Sequence, residues 1–126
     1  MKKRVLIVED NERNLTLEKD LLEVAGFEVL TAIDAQSGIT IAKKENPDII
    51  VLDIRLPDMR GTEAAEKLRA DDAIRDIPII FVTASVMGDD LKQVMSFSNS
   101  GYISKPIDTR TFAEDVGRFI KCKITQ

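Results

Sequence analysis

The chain has 126 residues, 44% of them hydrophobic and 32% charged, with a formal net charge of −4 and no histidine. That length and balance suit one domain with its own core and exclude a disordered chain, and the acidic balance gives no electrostatic case for nucleic acid. Without histidine there is no serine-type triad, and the commonest zinc ligand and usual general base are missing, so chemistry must run on carboxylates, hydroxyls, lysine and a hard cation.

No apolar run approaches the roughly 18 residues of a membrane span. Lys2-Lys3-Arg4 is followed by too short an apolar run, ended by Glu9, to make a signal peptide. A cytoplasmic location away from the membrane is expected. The first strand-like run, near 4–8, ends at Glu9-Asp10. Asn11 is placed to cap a helix that Gly26 stops, with Leu15, Leu21, Leu22 and Ala25 on one face and Glu18, Lys19 and Glu23 expected to stay wet. A second run near 28–33 leads into a helix near 35–45 carrying Ile39, Ala42 and Ile41, ended before Pro47. The third run, 48–52, meets Asp53, and a helix over about 61–71 turns Ala64, Ala65 and Leu68 inward. The fourth, 78–82, is closed by Thr83. The helix after it, near 87–97, is expected to bury Leu91, Val94 and Met95, with Gly88 lowering its stability in the first turn. The fifth run, 101–104, precedes Lys105-Pro106 and a helix over about 109–121 with Phe112, Val116, Phe119 and Ile120. Cys122, between two lysines, reads as a passive thiol, and a single cysteine forms no internal disulfide. A single domain over 1–126 is expected, with its core at about 3–121 and a short C-terminal tail.

Five alternations of strand and helix give an α/β class, a five-stranded parallel sheet with helices on both faces. The continuously apolar runs Ile49 to Leu52 and Ile79 to Val82 suit strands buried on both faces. In such sheets ligands bind beyond the carboxyl ends of the strands, where strand order reverses. With the order 2-1-3-4-5, taken from sheets of this class rather than deduced, that crevice receives Glu9, Asp10 and Asp53. Three carboxylates crowded there must share protons or bind a cation, and an oxygen-only donor set suits Mg²⁺. A carboxylate beside such a cation can act as a nucleophile toward a phosphoryl group, with Lys105 and Thr83 as donors to its oxygens. A lone acid at a strand end is most often a helix cap. Three acids, a threonine and a lysine, set at four strand ends, are a constellation.

Val8-Glu9-Asp10-Asn11, Leu52-Asp53-Ile54-Arg55-Leu56-Pro57, Val82-Thr83-Ala84 and Ser104-Lys105-Pro106-Ile107 together resemble the receiver domain of two-component response regulators, in order over about residues 3–120. The resemblance implies a flavodoxin-like (βα)5 receiver fold. It implies that Asp53 accepts a phosphoryl group from a histidine kinase or histidine phosphotransfer protein. By the same resemblance Asp10 would ligate Mg²⁺ directly and Glu9 more remotely, with Asp53 and the backbone carbonyl of Arg55 completing the set. Thr83 and Lys105 would engage the phosphoryl oxygens, Tyr102 would turn inward as Thr83 moves, and the Lys105–Pro106 bond would be cis. The fourth helix, fifth strand and fifth helix would present the switched face to a downstream protein effector. A monomer or weak dimer is expected, and no output segment is read after residue 121.

Some positions depart from the family pattern. Phe97-Ser98-Asn99 stands where members often have Ala-Gly-Ala, which bears on the packing of the fourth helix end. Arg55 and Arg60 place two cations by the acceptor loop, read first as solvated surface charges and otherwise as tuning dephosphorylation or docking. Ser85 is the other position expected to affect phosphate lifetime. The Glu-Asp-Asn start and Ser-Lys-Pro-Ile signature resemble single-domain regulators of cell division. A phosphorelay intermediate is the alternative role. A Mg²⁺-dependent aspartyl-phosphate phosphatase fits less well, because such enzymes carry a second Asp where this chain has Arg55. A binding-only module with a degenerate site fits less well too, because the acids, Thr83 and Lys105 are all present.

Overall fold

The computed structural model describes the backbone of residues 2–84 and 89–125 and the side chains of 2–84 and 92–120. Strand β1 covers Arg4–Val8, helix α1 Glu12–Val24, β2 Glu28–Ala32, α2 Ala35–Glu45 and β3 Ile49–Asp53. Helix α3 follows at Gly61–Arg69, then β4 at Ile79–Thr83, α4 at Asp89–Ser96, β5 at Ser100–Ser104 and α5 at Phe112–Thr125. The strands form one sheet in the order β2-β1-β3-β4-β5, every neighbouring pair parallel. Order reverses between β1 and β3, so the crevice opens past Val8 and Asp53.

The two-residue period of the strands divides the core. Leu6, Val8, Ile50, Leu52, Ile79 and Phe81 face one layer, covered by Ile39, Ala42, Ala64, Ala65 and Leu68 of α2 and α3. Val5, Ile7, Ile49, Val51, Ile80 and Val82 face the other, covered by Leu22 of α1 and by Phe112, Val116 and Ile120 of α5. Asp53 lies on β3 two residues beyond Val51, and therefore on the α1/α5 side. Asn11 caps α1 by accepting from the Asn14 N–H, and Gly26, at a φ of 99°, lets the chain turn back into β2.

The structure departs from the expected pattern at several points. Glu18 is not wet: it is 2% exposed. It sits three residues after Leu15 and four before Leu22, on the stripe that α1 turns to the sheet. Ala25 is exposed instead, because it follows the last helical residue as the C-cap. Met95 is 70% exposed, one residue on from buried Val94 and so about 100° around α4. Helix α3 stops at Arg69, two residues short of the expected end. Helix α5 starts at Phe112, because Asp108 turns the chain by accepting from the N–H groups of Arg110, Thr111 and Phe112, and it runs to Thr125 through residues expected to form a tail. Ser85 and Gly88 lie outside the described residues, as do the side chains of Leu91 and Cys122.

The Phe97-Ser98-Asn99 departure is compensated by contacts distant in sequence. Phe97 packs its ring on Phe81 at 5.7 Å between centroids. Asn99 takes a φ of 55°, the left-handed position a glycine would favour, and its Nδ2 donates to the Asp76 carbonyl at 2.9 Å. Arg69 donates to the carbonyls of Arg75, Ile77, Ser98 and Asn99 at 3.0, 2.6, 2.9 and 3.1 Å, tying the end of α3 to the turn before β5.

Candidate functional site

Glu9 follows β1 directly, and its backbone N–H donates to the Ala32 carbonyl at 3.0 Å, which holds it against the end of β2. Asp53 ends β3. Both are buried, at 2% and 6% exposure, whereas Asp10 is exposed at the rim. One carboxylate oxygen from each of Glu9, Asp10 and Asp53 lies within 4.8 Å of the others, the arrangement of a possible metal site among the described residues. Lys105 reaches between two of them, its Nζ donating to Glu9 Oε1 at 2.7 Å and to Asp53 Oδ2 at 2.9 Å. The remaining oxygens accept from the backbone, Glu9 Oε2 from the Asn11 N–H at 3.1 Å and Asp53 Oδ1 from the Arg55 N–H at 3.0 Å. A crevice of about 540 Å³ opens over these groups, lined also by Thr83 and Ala84.

Thr83 is 5% exposed, and its carbonyl accepts the Lys105 N–H at 2.8 Å, so the two candidate donors are joined through the backbone. The Lys105–Pro106 peptide bond is cis. Tyr102 is 46% exposed on β5, away from the crevice. Arg55 and Arg60 are exposed and face each other across an isolated antiparallel bridge in the loop after Asp53.

The electrostatics follow from burial. Loss of water is the largest effect on Glu9, and Asp53 beside it acts the same way. Lys105 and the Asn11 N–H oppose them, and the Glu9 carboxyl is left raised to about 7. Burial disfavours the Lys105 ammonium, but its bonds to Glu9 and Asp53 outweigh that and hold its pKa above the ordinary lysine value. The donor set is oxygen only, and the pocket already holds one positive charge between two of its acids. Those residues fit a hard cation.

Three features of the site are carried by no motif in the sequence. The acceptor loop is anchored at Asp58, whose carboxylate oxygens accept from the Ala35 and Gln36 N–H groups at the start of α2, both at 2.9 Å. Gly61 returns the loop to β3, donating to the Ile54 carbonyl at 2.7 Å. A Cβ there would meet the Asp53 carbonyl oxygen at 2.3 Å. Its signal was a glycine opening a helix eight residues past Asp53. The third is Glu18, which lines a second, smaller cavity behind Lys105.

The family model of the response regulator receiver domain matches residues 5–116. The chain belongs to that family. It is 38% identical over 120 residues to the polar-differentiation response regulator DivK of Brucella anthropi, covering 95% of this chain and 98% of that one. Among solved structures it is similar to a CheY-like receiver domain protein from Methanospirillum hungatei, with a TM-score of 0.91 and 30% identity over 99% and 98% of the two chains. It also resembles the receiver domain of the sensor histidine kinase PA1611 of Pseudomonas aeruginosa, with a TM-score of 0.87 and 28% identity over 96% and 99%. That structure has a magnesium ion coordinated in its active site cleft. The sheet order and crevice described above are those of a receiver fold.

Proposed function

We propose that this receiver accepts a phosphoryl group on Asp53 from a phosphohistidine of a histidine kinase or phosphotransfer protein, and that the added charge switches its binding to a downstream protein. What carries the reading is the placement of Lys105: its ammonium bridges Asp53 and Glu9 while Asp10 stands at the rim. In the transfer, a carboxylate oxygen of Asp53 forms the new P–O bond as the P–N bond of the donor imidazole breaks, its electron pair leaving with the ring nitrogen. Glu9, Asp10 and Asp53, with the Arg55 carbonyl, would hold Mg²⁺, which when bound offsets charge on the transferring oxygens. Lys105 and Thr83 donate to the phosphoryl oxygens of the product. Because Thr83 and Lys105 share a backbone hydrogen bond, movement of one strains the other, and this biases the loops after β4 and β5. Exposed Met95 and Tyr102 put apolar surface on α4 and β5, which suits a face read by a protein partner. A cytoplasmic monomer or weak dimer fits this role.

The test is labelling with acetyl phosphate and Mg²⁺, expected to add one phosphoryl group per chain, with Asp53→Asn abolishing it. Equal labelling of the variant would refute the acceptor assignment. Phosphotransfer profiling against the histidine kinases of the same organism then identifies the donor.

A further inference from the structure

Behind the acidic crevice lies a separate cavity of about 280 Å³, walled by Asn14, Leu17, Glu18, Ala84, Lys105, Pro106 and Ile107. Asn14, Ala84 and Lys105 line the crevice as well, so the lysine side chain stands in the wall between the two spaces. Glu18 is 2% exposed, its carboxyl has no hydrogen-bond or ion-pair partner among the described residues, and its oxygens are not fully sealed, being open to the cavity. A buried carboxylate without a partner costs several kcal/mol, and proteins avoid it unless something is brought to pair with it. The charged groups near enough to act on it are Glu9, Asp53 and Lys105. Only the last is positive.

Lys105 has the complementary difficulty. Its two present partners, Glu9 and Asp53, are two of the three acids that fit a cation. A divalent ion and an ammonium on the same oxygens repel across a few ångströms, so the ammonium loses its acceptors when the ion is bound. We propose that Glu18 is a positioning residue for Lys105: the lysine transfers its hydrogen bonds from Glu9 to the Glu18 carboxylate when a divalent cation occupies the acidic cluster, and is held there ready to meet the phosphoryl oxygens. This rests on the Mg²⁺ reading above. Burial, reinforced by the charge of Glu9, pushes the Glu18 carboxyl up to about 8, which favours its neutral form in the cation-free state. Arrival of the ammonium favours the ionised form.

The test is a double-mutant cycle read by Mg²⁺ titration calorimetry, with Glu18→Leu and Glu18→Gln each made in the wild-type chain and in Lys105→Met. With Lys105 present, Glu18→Leu is expected to weaken Mg²⁺ binding about tenfold and Glu18→Gln about threefold, the scale of one charge-assisted hydrogen bond. Glu18→Gln keeps shape and fold if the leucine variant does not. In Lys105→Met neither change weakens binding. Equal weakening in both backgrounds means Glu18 acts by its own charge or by packing, and overturns the proposal, as does no weakening in either. A wild-type chain that binds no Mg²⁺ overturns the cation reading together with the proposal.

Discussion

Replacing Glu18 with glutamine tests the charge balance of the fold directly, because the side chain keeps its size and loses only its titration. In the folded protein the carboxyl is raised to about 8 from an ordinary 4.5, burial being the main cause and the charges of Glu9 and Asp53 adding to it against Lys105. Between those two values the unfolded chain has released the proton and the folded chain still holds it. The unfolded state therefore binds fewer protons, and stability falls as pH rises through the window. Each pKa unit corresponds to about 1.4 kcal/mol. At pH 7 the cost of keeping Glu18 neutral is thus about 3 kcal/mol, levelling off near 5 kcal/mol above pH 8. Glu18→Gln removes that cost. The variant should match the wild type near pH 4.5, exceed it by about 3 kcal/mol at pH 7, and gain no more past pH 8. Urea unfolding followed by far-UV circular dichroism in EDTA measures it, since the chain has no tryptophan. Glu9 titrates in the same region, but it is common to both chains and cancels to first order in the difference. A stability difference that is the same at pH 5 and pH 8 would refute the reasoning.

Two further substitutions probe the supports of the site. Gly61→Ala must push the α3 entry away from the Asp53 carbonyl, now 2.3 Å from the new Cβ; a loss of about 2–4 kcal/mol in unfolding experiments is expected, with slower labelling of Asp53, and an unchanged rate would show that the acceptor loop does not depend on this close approach. Arg69→Met keeps the stem but removes the bonds to four carbonyls. It should cost about 2–4 kcal/mol and raise amide hydrogen exchange around residues 97–101, whereas unchanged exchange there would mean the arginine does not hold the turn before β5.

What the sequence made legible was what local pattern encodes. Continuous apolar runs such as Ile79 to Val82 suit strands buried on both faces, and the residue ending each run falls at the same edge of a parallel sheet. Glu9, Asp53 and Thr83 therefore meet with no long-range information beyond strand order. Glu18 was missed although its spacing from Leu15 and Leu22 marks the buried stripe, because a charged side chain on an amphipathic helix is ordinarily solvated. Only the end of β5 and the α1 packing together reveal that it is covered. The anchors at Asp58 and Arg69 depend on backbone groups 22–30 residues away, which no periodicity reports. The Phe97 departure likewise makes sense only beside Phe81 and the Asp76 carbonyl.

Glu9 and Glu18, two of the three buried acids near Lys105, differ in their partners. Glu9 has the lysine and the Asn11 N–H as partners, and Glu18 has neither. The lysine already donates to Glu9 and to Asp53, and Glu18, which lines the neighbouring cavity, is left with burial as the main influence on it, favouring the neutral form. On the proposal above, a cation held by Glu9, Asp10 and Asp53 would compete with Lys105 for Glu9 and leave the lysine free for Glu18. The coupling would then run both ways, since whatever draws Lys105 toward Glu18 would also favour the cation. On this reading the lysine is shared among Glu9, Glu18 and the phosphoryl oxygens, and the occupancy of the crevice decides which of them holds it.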